Sequence, residues 1–190
     1  MTSERYGDAF DQVKSLGIAG STTASVAQDL TTAENARLFA LLNLSFADGV
    51  MAFYDAKYTY NFWRPVTAIR AADTDGNPET DVDPNWLPEV GNTTPDPSYP
   101  EAHAVITAAG AEVLTSFFHE YHFEFSVTSE VLADVDRSFT SFSAAAEEAM
   151  LSRIFAGVHF LFDLTTGQRL GSEVADFVVD NFLTSRHRND

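Results

Sequence analysis

The clearest hydrophobic pattern of the chain lies between residues 31 and 60. Thr31-x-x-Glu34 is typical of a capping box, in which both side chains bond to free backbone N–H groups at a helix start. Apolar residues then recur at the spacing of one helical face: Leu38, Leu41, Leu42, Phe46, Val50 and Phe53. The sequence therefore predicts a long helix from Thr31 to about Tyr60.

Helical spacing also characterises the later segments. Pro100 is typical of the first position of a helix, and this helix is predicted to continue to Phe118. Further helices are predicted from about Ser129 to Phe142, from near Ala144 through the segment 152–163, and from about Thr165 to Leu183. Because no segment alternates convincingly as a strand would, the fold class predicted is an all-α helical bundle of about five or six helices.

The chain divides into two parts by composition. Residues 1–30 form a small, polar N-terminal segment, with at most a short helix between Arg5 and Leu16, and residues 31–190 are predicted to form one helical domain. Within that domain, residues 73–97 hold five prolines and seven acidic residues without a Lys or Arg. An irregular segment of that length is usually functional or a lid.

Charge excludes several classes of partner. The 190 residues carry a formal net charge of −17, a field that repels nucleic acid and anionic membranes. No cysteine is present, which excludes a disulfide, a thiolate nucleophile and a cysteine-based metal site. No apolar stretch reads as a signal peptide or a membrane span. We therefore expect an acidic, soluble protein that binds neither nucleic acid nor membranes.

Cationic side chains are scarce, with 11 Lys and Arg in total, and their placement is informative. Lys57 and Arg64 are seven residues apart, so on one helix they would face the same way, and Pro65 predicts that this helix ends near Arg64. An ammonium group and a guanidinium fork together suit an oxyanion. The alternative is two solvated charges on a helix face.

A second group of residues, Pro100 to His103, stands at a predicted helix start. Free N–H groups and the positive end of the helix dipole favour an anion there. His103 is a natural general acid–base because its ordinary pKa is near neutrality. The alternative is an ordinary helix start, with Glu101 interacting with the dipole.

The third group contains Ser152, Arg153, His159 and Asp163. His159 and Asp163 are four residues apart, so on a helix the carboxylate would orient the imidazole and leave its far nitrogen as a nucleophile or metal ligand. Arg153 is not on the same helical face as His159 and must lie near the helix start or reach around it. The alternative is a helical ion pair with a partly buried histidine.

Together the three groups resemble the superfamily of vanadium-dependent haloperoxidases and type 2 phosphatidic acid phosphatases. The family pattern is Lys-x6-Arg-Pro, Pro-Ser-Gly-His and Ser-Arg-x5-His-x3-Asp, and the first and third parts are complete here. The resemblance covers about residues 32–185 and looks closest to vanadium chloroperoxidases in the segments 60–65, 152–159 and 170–176.

The resemblance implies a role for each matching residue. Vanadate is the implied cofactor, with phosphate as the alternative oxyanion, and the residues that would hold it are Lys57, Arg64, Ala102, Arg153 and His159. His159 would bond to vanadium, Asp163 would orient His159, and His103 would be the acid–base. The implied activity is oxidation of halide by hydrogen peroxide. The alternatives are an acid phosphatase, in which a phosphoester forms a phosphohistidine at His159, and a catalytically degenerate oxyanion-binding bundle.

Two departures from the family pattern bear on this implied activity. Glu101 replaces the family serine, and two unit negative charges about 4 Å apart repel by about 4 kcal/mol at an effective dielectric of 20. Glu101 must therefore point away from an oxyanion, pair with Lys57 or an arginine, or stay protonated, whereas Ala102 keeps its backbone N–H. Asp96 stands where chloroperoxidases carry a halide-pocket Phe, and its carboxylate disfavours halide.

Further expectations concern context and metals. The resemblance covers the catalytic half of a two-bundle haloperoxidase, so we expect either a longer protein or a partner chain, including a homodimer, to cover the other half. It also suggests an extracytoplasmic location. The acidic loop 73–83 resembles a calcium loop poorly, so a solvated loop is predicted. For His119 and His122 the prediction is a surface pair, not a metal site.

Overall fold

The computed structural model describes Ala24 and residues 28–128 and 136–184. Within these ranges the α-helices are α1 (Thr32–Tyr60), α2 (Pro65–Arg70), α3 (Ala102–Phe118), α4 (Phe142–Phe155) and α5 (Leu161–Asn181). A short 3-10 helix spans Ala72–Thr74, and two strands, β1 (Phe125–Thr128) and β2 (Asp136–Phe139), form an antiparallel sheet. The predicted all-α bundle is confirmed as the fold class, and the small sheet is an addition to it. The possible helix between Arg5 and Leu16 lies outside the described residues.

Helix α1 follows its sequence signals closely. Thr31 is the N-cap, and the reciprocal bonds with Glu34 form the predicted capping box. The helix ends at Tyr60, where Asn61 adopts the left-handed conformation with φ 45° and returns its N–H to the Lys57 carbonyl. This ending directs the chain away from α1 three residues before Arg64.

Helix α3 lies at the centre of the bundle, where it contacts α1, α4 and α5. Alanines and valines along it are buried, which lets the neighbouring helices approach closely. The main core cluster joins α1, α3, α4, α5 and the sheet, and its largest buried members include Leu38, Leu41, Leu42, Leu114 and Phe142.

Two glycines fix the contact between α5 and the start of α3. A Cβ at Gly167 would lie 2.6 Å from the Glu101 carbonyl oxygen, and a Cβ at Gly171 would lie 2.1 Å from the Val105 carbonyl oxygen. Neither distance is possible for a real side chain, so the two backbones can touch only because both residues are glycine. The first turn of α3 is thereby held against the N-terminal half of α5.

The predicted helix from Ser129 to Phe142 is wrong over its second half, because Asp136–Phe139 is a strand; residues 129–135 lie outside the described ranges. β1 pairs with β2 in a register that sets Phe125 opposite Phe139. The alternation was present in the sequence, since Phe125 and Val127 are buried and Ser126 and Thr128 are exposed. A strand of four residues is too short for that alternation to stand out.

Helix boundaries near the third residue group also differ from the prediction. Instead of one helix through residues 152–163, α4 ends at Phe155 and α5 begins at Leu161. Gly157, with φ 75°, lies in the break. Pro100 is not the first residue of α3: it follows a cis peptide bond, and Glu101 is the N-cap.

The segment 73–97 is irregular after the 3-10 helix, as predicted. By length and composition alone, the stretch Thr32–Arg70 is apolar enough to cross a membrane. This is weak evidence for a membrane span, because the core helix of a soluble protein passes the same test. The expectation that no apolar stretch approaches the length of a membrane span is nevertheless not confirmed.

Candidate oxyanion site

The three residue groups converge at one end of the bundle. Lys57 comes from the last turn of α1, Arg64 is the N-cap of α2, and Glu101 is the N-cap of α3. Arg153 lies in the last turn of α4, and His159 lies in the break before α5. The site is therefore built from helix ends, where the chain can turn side chains inward.

Lys57 is almost fully buried, at 1% exposure. Its ammonium group donates to the carbonyls of Pro97 and Ser98 and forms an ion pair with Asp96 at 2.9 Å. Burial lowers the pKa of Lys57, and the hydrogen bond and charge of Asp96 oppose that shift. A buried charge with three oxygen partners is a structural anchor of this loop as well as a candidate anion ligand.

Arg64 extends across the site from a separate element. The prediction that Lys57 and Arg64 share one helix is wrong, because α1 ends at Tyr60, yet the two cations still meet at one carboxylate. The Arg64 guanidinium donates to the Asp96 and Val158 carbonyls at 2.9 and 3.1 Å, and NH1 lies 2.8 Å from His159 Nε2. Burial lowers the pKa of Arg64 from its usual value, opposed by the nearby carboxylates.

Asp96 joins these two cations. Its Oδ2 faces Lys57 at 2.9 Å and its Oδ1 faces Arg64 NH2 at 3.1 Å. Burial raises the pKa of Asp96, but the hydrogen bonds from Thr94 and Lys57 and the two positive charges outweigh it, so the pKa falls below its usual range. Asp96 is therefore a charged counterion in this structure.

His159 and Asp163 are in contact, as the sequence predicts, but not as neighbours on one helix. His159 Nδ1 lies 3.1 Å from Asp163 Oδ2, which also accepts the Phe160 N–H at the start of α5. Burial lowers the pKa of His159, opposed by the hydrogen bond to Asp163 and the charge of Glu101. The His159 imidazole thus has its Nδ1 oriented by Asp163 and its Nε2 facing Arg64.

Ser98 and Thr94 belong to the site although the sequence did not single them out. The fully buried Ser98 hydroxyl donates to Asp163 Oδ2 and lies 3.2 Å from His159 Nδ1. Thr94 accepts from Arg64 NH2 at 2.7 Å. Thr94 lies within the irregular acidic segment and Ser98 directly follows it, and no periodicity there marks which hydroxyls turn inward.

Glu101 is fully buried and points into the site. Its Oε1 lies 2.8 Å from His103 Nδ1, and its Oε2 accepts the Ala104 N–H at 2.5 Å. Oε1 also lies 3.6 Å from His159 Nε2 and 3.8 Å from Arg153 Nε. Of the three placements predicted for the Glu101 carboxylate, pairing is the one observed. The carboxylate pairs with His103 and Arg153 and not with Lys57.

The electrostatics of Glu101 favour its charged form. Burial acts to raise the pKa, but the His103 hydrogen bond, the charges of His103 and His159, and the Ala104 N–H lower it to about 2. Among the options for Glu101, these contacts therefore favour a charged carboxylate over the protonated acid.

Arg153 has one donor, its Nε, that no residue described by the structure satisfies. The Arg153 side chain is 18% exposed. Its Nε is buried and makes no hydrogen bond with the described residues. Of the two placements predicted for Arg153, near a helix start or reaching around the helix, the first is wrong, because Arg153 lies in the last turn of α4. The Ser152 hydroxyl donates to the Ala149 carbonyl within α4, and its role in the site stays a prediction. Ala102 begins α3 directly beside Glu101.

The arrangement suits a tetrahedral oxyanion. Three permanently cationic side chains and two imidazoles approach one region, and an unsatisfied buried N–H of Arg153 is the kind of group that a bound oxygen would satisfy. Among residues 28–128 and 136–184, no three His, Asp or Glu side chains are grouped to hold a metal ion directly. At the two weaker metal candidates, Asp75 bonds within its own loop, and His122 lies 3.8 Å from Glu124.

Replacement of Ser98 by alanine is expected to lower the free energy of unfolding by about 1–3 kcal/mol, because it removes a donor from the buried Asp163 carboxylate. Urea denaturation followed by circular dichroism measures this change. The matched control is Ser152→Ala, whose hydroxyl bonds only to its own helix and whose loss should stay within about 0.5 kcal/mol. Equal losses for the two variants would contradict the structural role of Ser98.

Comparison with known proteins places these residues in context. A family model described as the VCPO second helical-bundle domain matches residues 37–188. Vanadium chloroperoxidase of Curvularia inaequalis is 28% identical over 100 residues, which are 48% of this chain and 16% of that protein.

Solved structures give a similar result. The crystal structure of the first bacterial vanadium-dependent iodoperoxidase has a TM-score of 0.73 and 31% identity, over 87% of this chain and 37% of that one. Holo-type bacterial vanadium-dependent chloroperoxidase has a TM-score of 0.70 and 18% identity, over 95% and 44% of the two chains; it shows the shared fold alone. The chain spans less than half the length of each of these relatives.

Proposed function

Because the chain belongs to the VCPO second helical-bundle domain family, that of vanadium chloroperoxidases, we propose that its converging donors bind vanadate and support haloperoxidase chemistry. The observation that carries the proposal is the meeting of Lys57, Arg64 and Arg153 with His159 at one end of the bundle. The donor set fits the group, since ammonium, guanidinium and imidazole nitrogens suit an oxyanion, and the Arg153 Nε is buried without a hydrogen bond.

The cationic side chains and His159 would have different roles. Lys57, Arg64 and Arg153 would hold the oxygens of vanadate, and His159 would bond to vanadium through Nε2. When bound, vanadate would supply Lewis acidity for the oxidation of halide by hydrogen peroxide, with no change in the oxidation state of vanadium.

The imidazole of His159 must be neutral and correctly oriented for this role. Asp163 Oδ2 lies 3.1 Å from Nδ1, which holds the proton on that nitrogen and leaves the lone pair on Nε2. Ser98 in turn donates to the same carboxylate oxygen. We assign proton exchange with peroxide to His103, whose side chain is 23% exposed and therefore reaches solvent.

A second candidate, an acid phosphatase, is favoured by one specific observation. Asp96 is charged and paired with Lys57 and Arg64, and a carboxylate next to the oxyanion disfavours the approach of halide. Phosphoester hydrolysis needs no halide, and the same His159 Nε2 would attack phosphorus.

Vanadate separates the two candidates. Purified protein is assayed for peroxide-dependent oxidation of iodide and bromide, and for p-nitrophenyl phosphate hydrolysis, each with and without added vanadate and against vanadate alone. We expect vanadate to activate halide oxidation above the protein-free background. Phosphate hydrolysis that vanadate inhibits would instead establish the phosphatase, and inactivity in both assays without vanadate binding would refute both enzymes.

A further inference from the structure

One carboxylate of the chain already lies where an oxyanion would be held. Glu101 is 0% exposed, and its Oε1 is 2.8 Å from His103, 3.6 Å from His159 Nε2 and 3.8 Å from Arg153 Nε. The proposed function assigns all three to the oxyanion site: Arg153 as a donor to the oxyanion, His103 as the acid–base, and His159 Nε2 as the nitrogen that would bond to vanadium. Glu101 thus lies against the part of the site formed by His103, His159 and Arg153.

A second carboxylate, that of Asp96, occupies the other two cations of the site. Asp96 pairs with both Lys57 and Arg64, at 2.9 and 3.1 Å. With Asp163 included, three carboxylates face the three permanent cations of the site, so its formal charge is zero when both histidines are neutral. A dianion that enters without displacing a carboxylate would meet no net attraction.

Backbone contacts with α5 hold the main chain of Glu101 in place. Its N–H donates to the Asp163 carbonyl at 3.1 Å, and Gly167 allows its carbonyl to touch α5. Glu101 Oε2 then accepts the Ala104 N–H as an N-cap. Backbone contact and capping together direct the side chain into the site instead of to solvent.

We propose that the Glu101 carboxylate is a built-in occupant of the oxyanion pocket, and that a tetrahedral oxyanion enters only by displacing it from His103, His159 and Arg153. This inference rests on the proposed function of the same site. It makes Glu101 the residue that sets how tightly an oxyanion binds, and serine, the residue of the family pattern at this position, is the natural comparison.

The test is calorimetric titration of the full chain with inorganic phosphate and, separately, with vanadate. Glu101→Ser removes the carboxylate from the pocket and keeps an oxygen that can cap the Ala104 N–H, since serine is a favourable N-cap. Glu101→Gln keeps the shape and removes the charge. Glu173→Ser is the matched control, because it removes one exposed negative charge on α5 far along the helix from Asp163.

We expect Glu101→Ser to bind phosphate and vanadate at least tenfold more tightly than wild type, Glu101→Gln to bind more tightly by a smaller factor, and Glu173→Ser to match wild type. Circular dichroism and thermal unfolding establish that each variant is folded, and Glu101→Gln carries the test if Glu101→Ser does not fold. If wild type binds and neither Glu101 variant binds more tightly, the inference is overturned while the proposed function stands. If neither wild type nor variants bind either oxyanion, both are overturned.

Discussion

Replacing His159 by alanine is expected to abolish vanadate-dependent halide oxidation and to weaken vanadate binding at least about 100-fold, since loss of groups that merely orient a metal ligand already costs 10–100-fold. His159 Nε2 is the imidazole nitrogen that faces Arg64, at 2.8 Å, while Nδ1 is taken up by Asp163 and Ser98. His103, the other imidazole of the site, is paired with Glu101 through Nδ1.

The measurements are calorimetric vanadate binding and the iodide and bromide assays, with circular dichroism as the check on folding. His122→Ala is the matched control, because its side chain is 74% exposed and lies beyond the end of α3. A His159→Ala protein that is folded and turns over at the wild-type rate would refute the assignment.

Replacing Gly171 by alanine is expected to lower the free energy of unfolding by about 3 kcal/mol or more, at or above the upper end of ordinary overpacking. The new Cβ would lie 2.1 Å from the Val105 carbonyl oxygen and 2.8 Å from its carbon. The obstacle is backbone and cannot rotate away, so α3 and α5 must separate. Since α3 carries Glu101 and α5 carries Asp163, that separation also disturbs the site.

The matched control for this prediction is Gly49→Ala on α1. Its Cβ would meet Val105 Cγ1 at 3.4 Å, an ordinary contact, and alanine favours a helix interior over glycine by about 0.5–1 kcal/mol. Urea denaturation should therefore show destabilisation for Gly171→Ala and a neutral or stabilising effect for Gly49→Ala. Equal stabilities of the two variants would contradict the close packing of α3 on α5.

Sequence reasoning succeeded where local signals agree with one another. The capping box at Thr31 and Glu34 predicted the start of α1, and the sustained apolar period predicted its extent to about Tyr60, although the end near Arg64 predicted from Pro65 was wrong. It failed where the decisive interactions are between distant segments. The break between α4 and α5 was predicted after residue 163, but it lies between Phe155 and Leu161, where Gly157 has a positive φ. Nothing local distinguishes that glycine from one inside a helix.

The site residues divide in the same way. Lys57, Arg64, His103, Arg153, His159 and Asp163 stood out because of their spacing, although the reason given for two pairs, a shared helix, was wrong. Ser98 and Thr94 were missed, because a hydroxyl in an irregular segment becomes a site residue only when the tertiary fold turns it inward. The role of Ser152 stays a prediction of the resemblance, and its hydroxyl lies on the α4 backbone.

Asp96 and Glu101 show what a family pattern leaves open. The sequence establishes that Glu101 departs from the pattern, but three placements of its carboxylate were equally compatible with it. Burial against α5 and capping of α3 select one of them. For Asp96, the pairing with Lys57 and Arg64 explains how a carboxylate is tolerated next to the site.

The most direct test of the account is a crystal structure of the full chain grown with excess vanadate. We expect tetrahedral or five-coordinate density bonded to His159 Nε2, with oxygens in contact with Arg64 and Arg153 and with Glu101 displaced from His103. Well-ordered density that shows Glu101 still bonded to His103 and no anion beside His159 would contradict the central claim that this pocket binds an oxyanion.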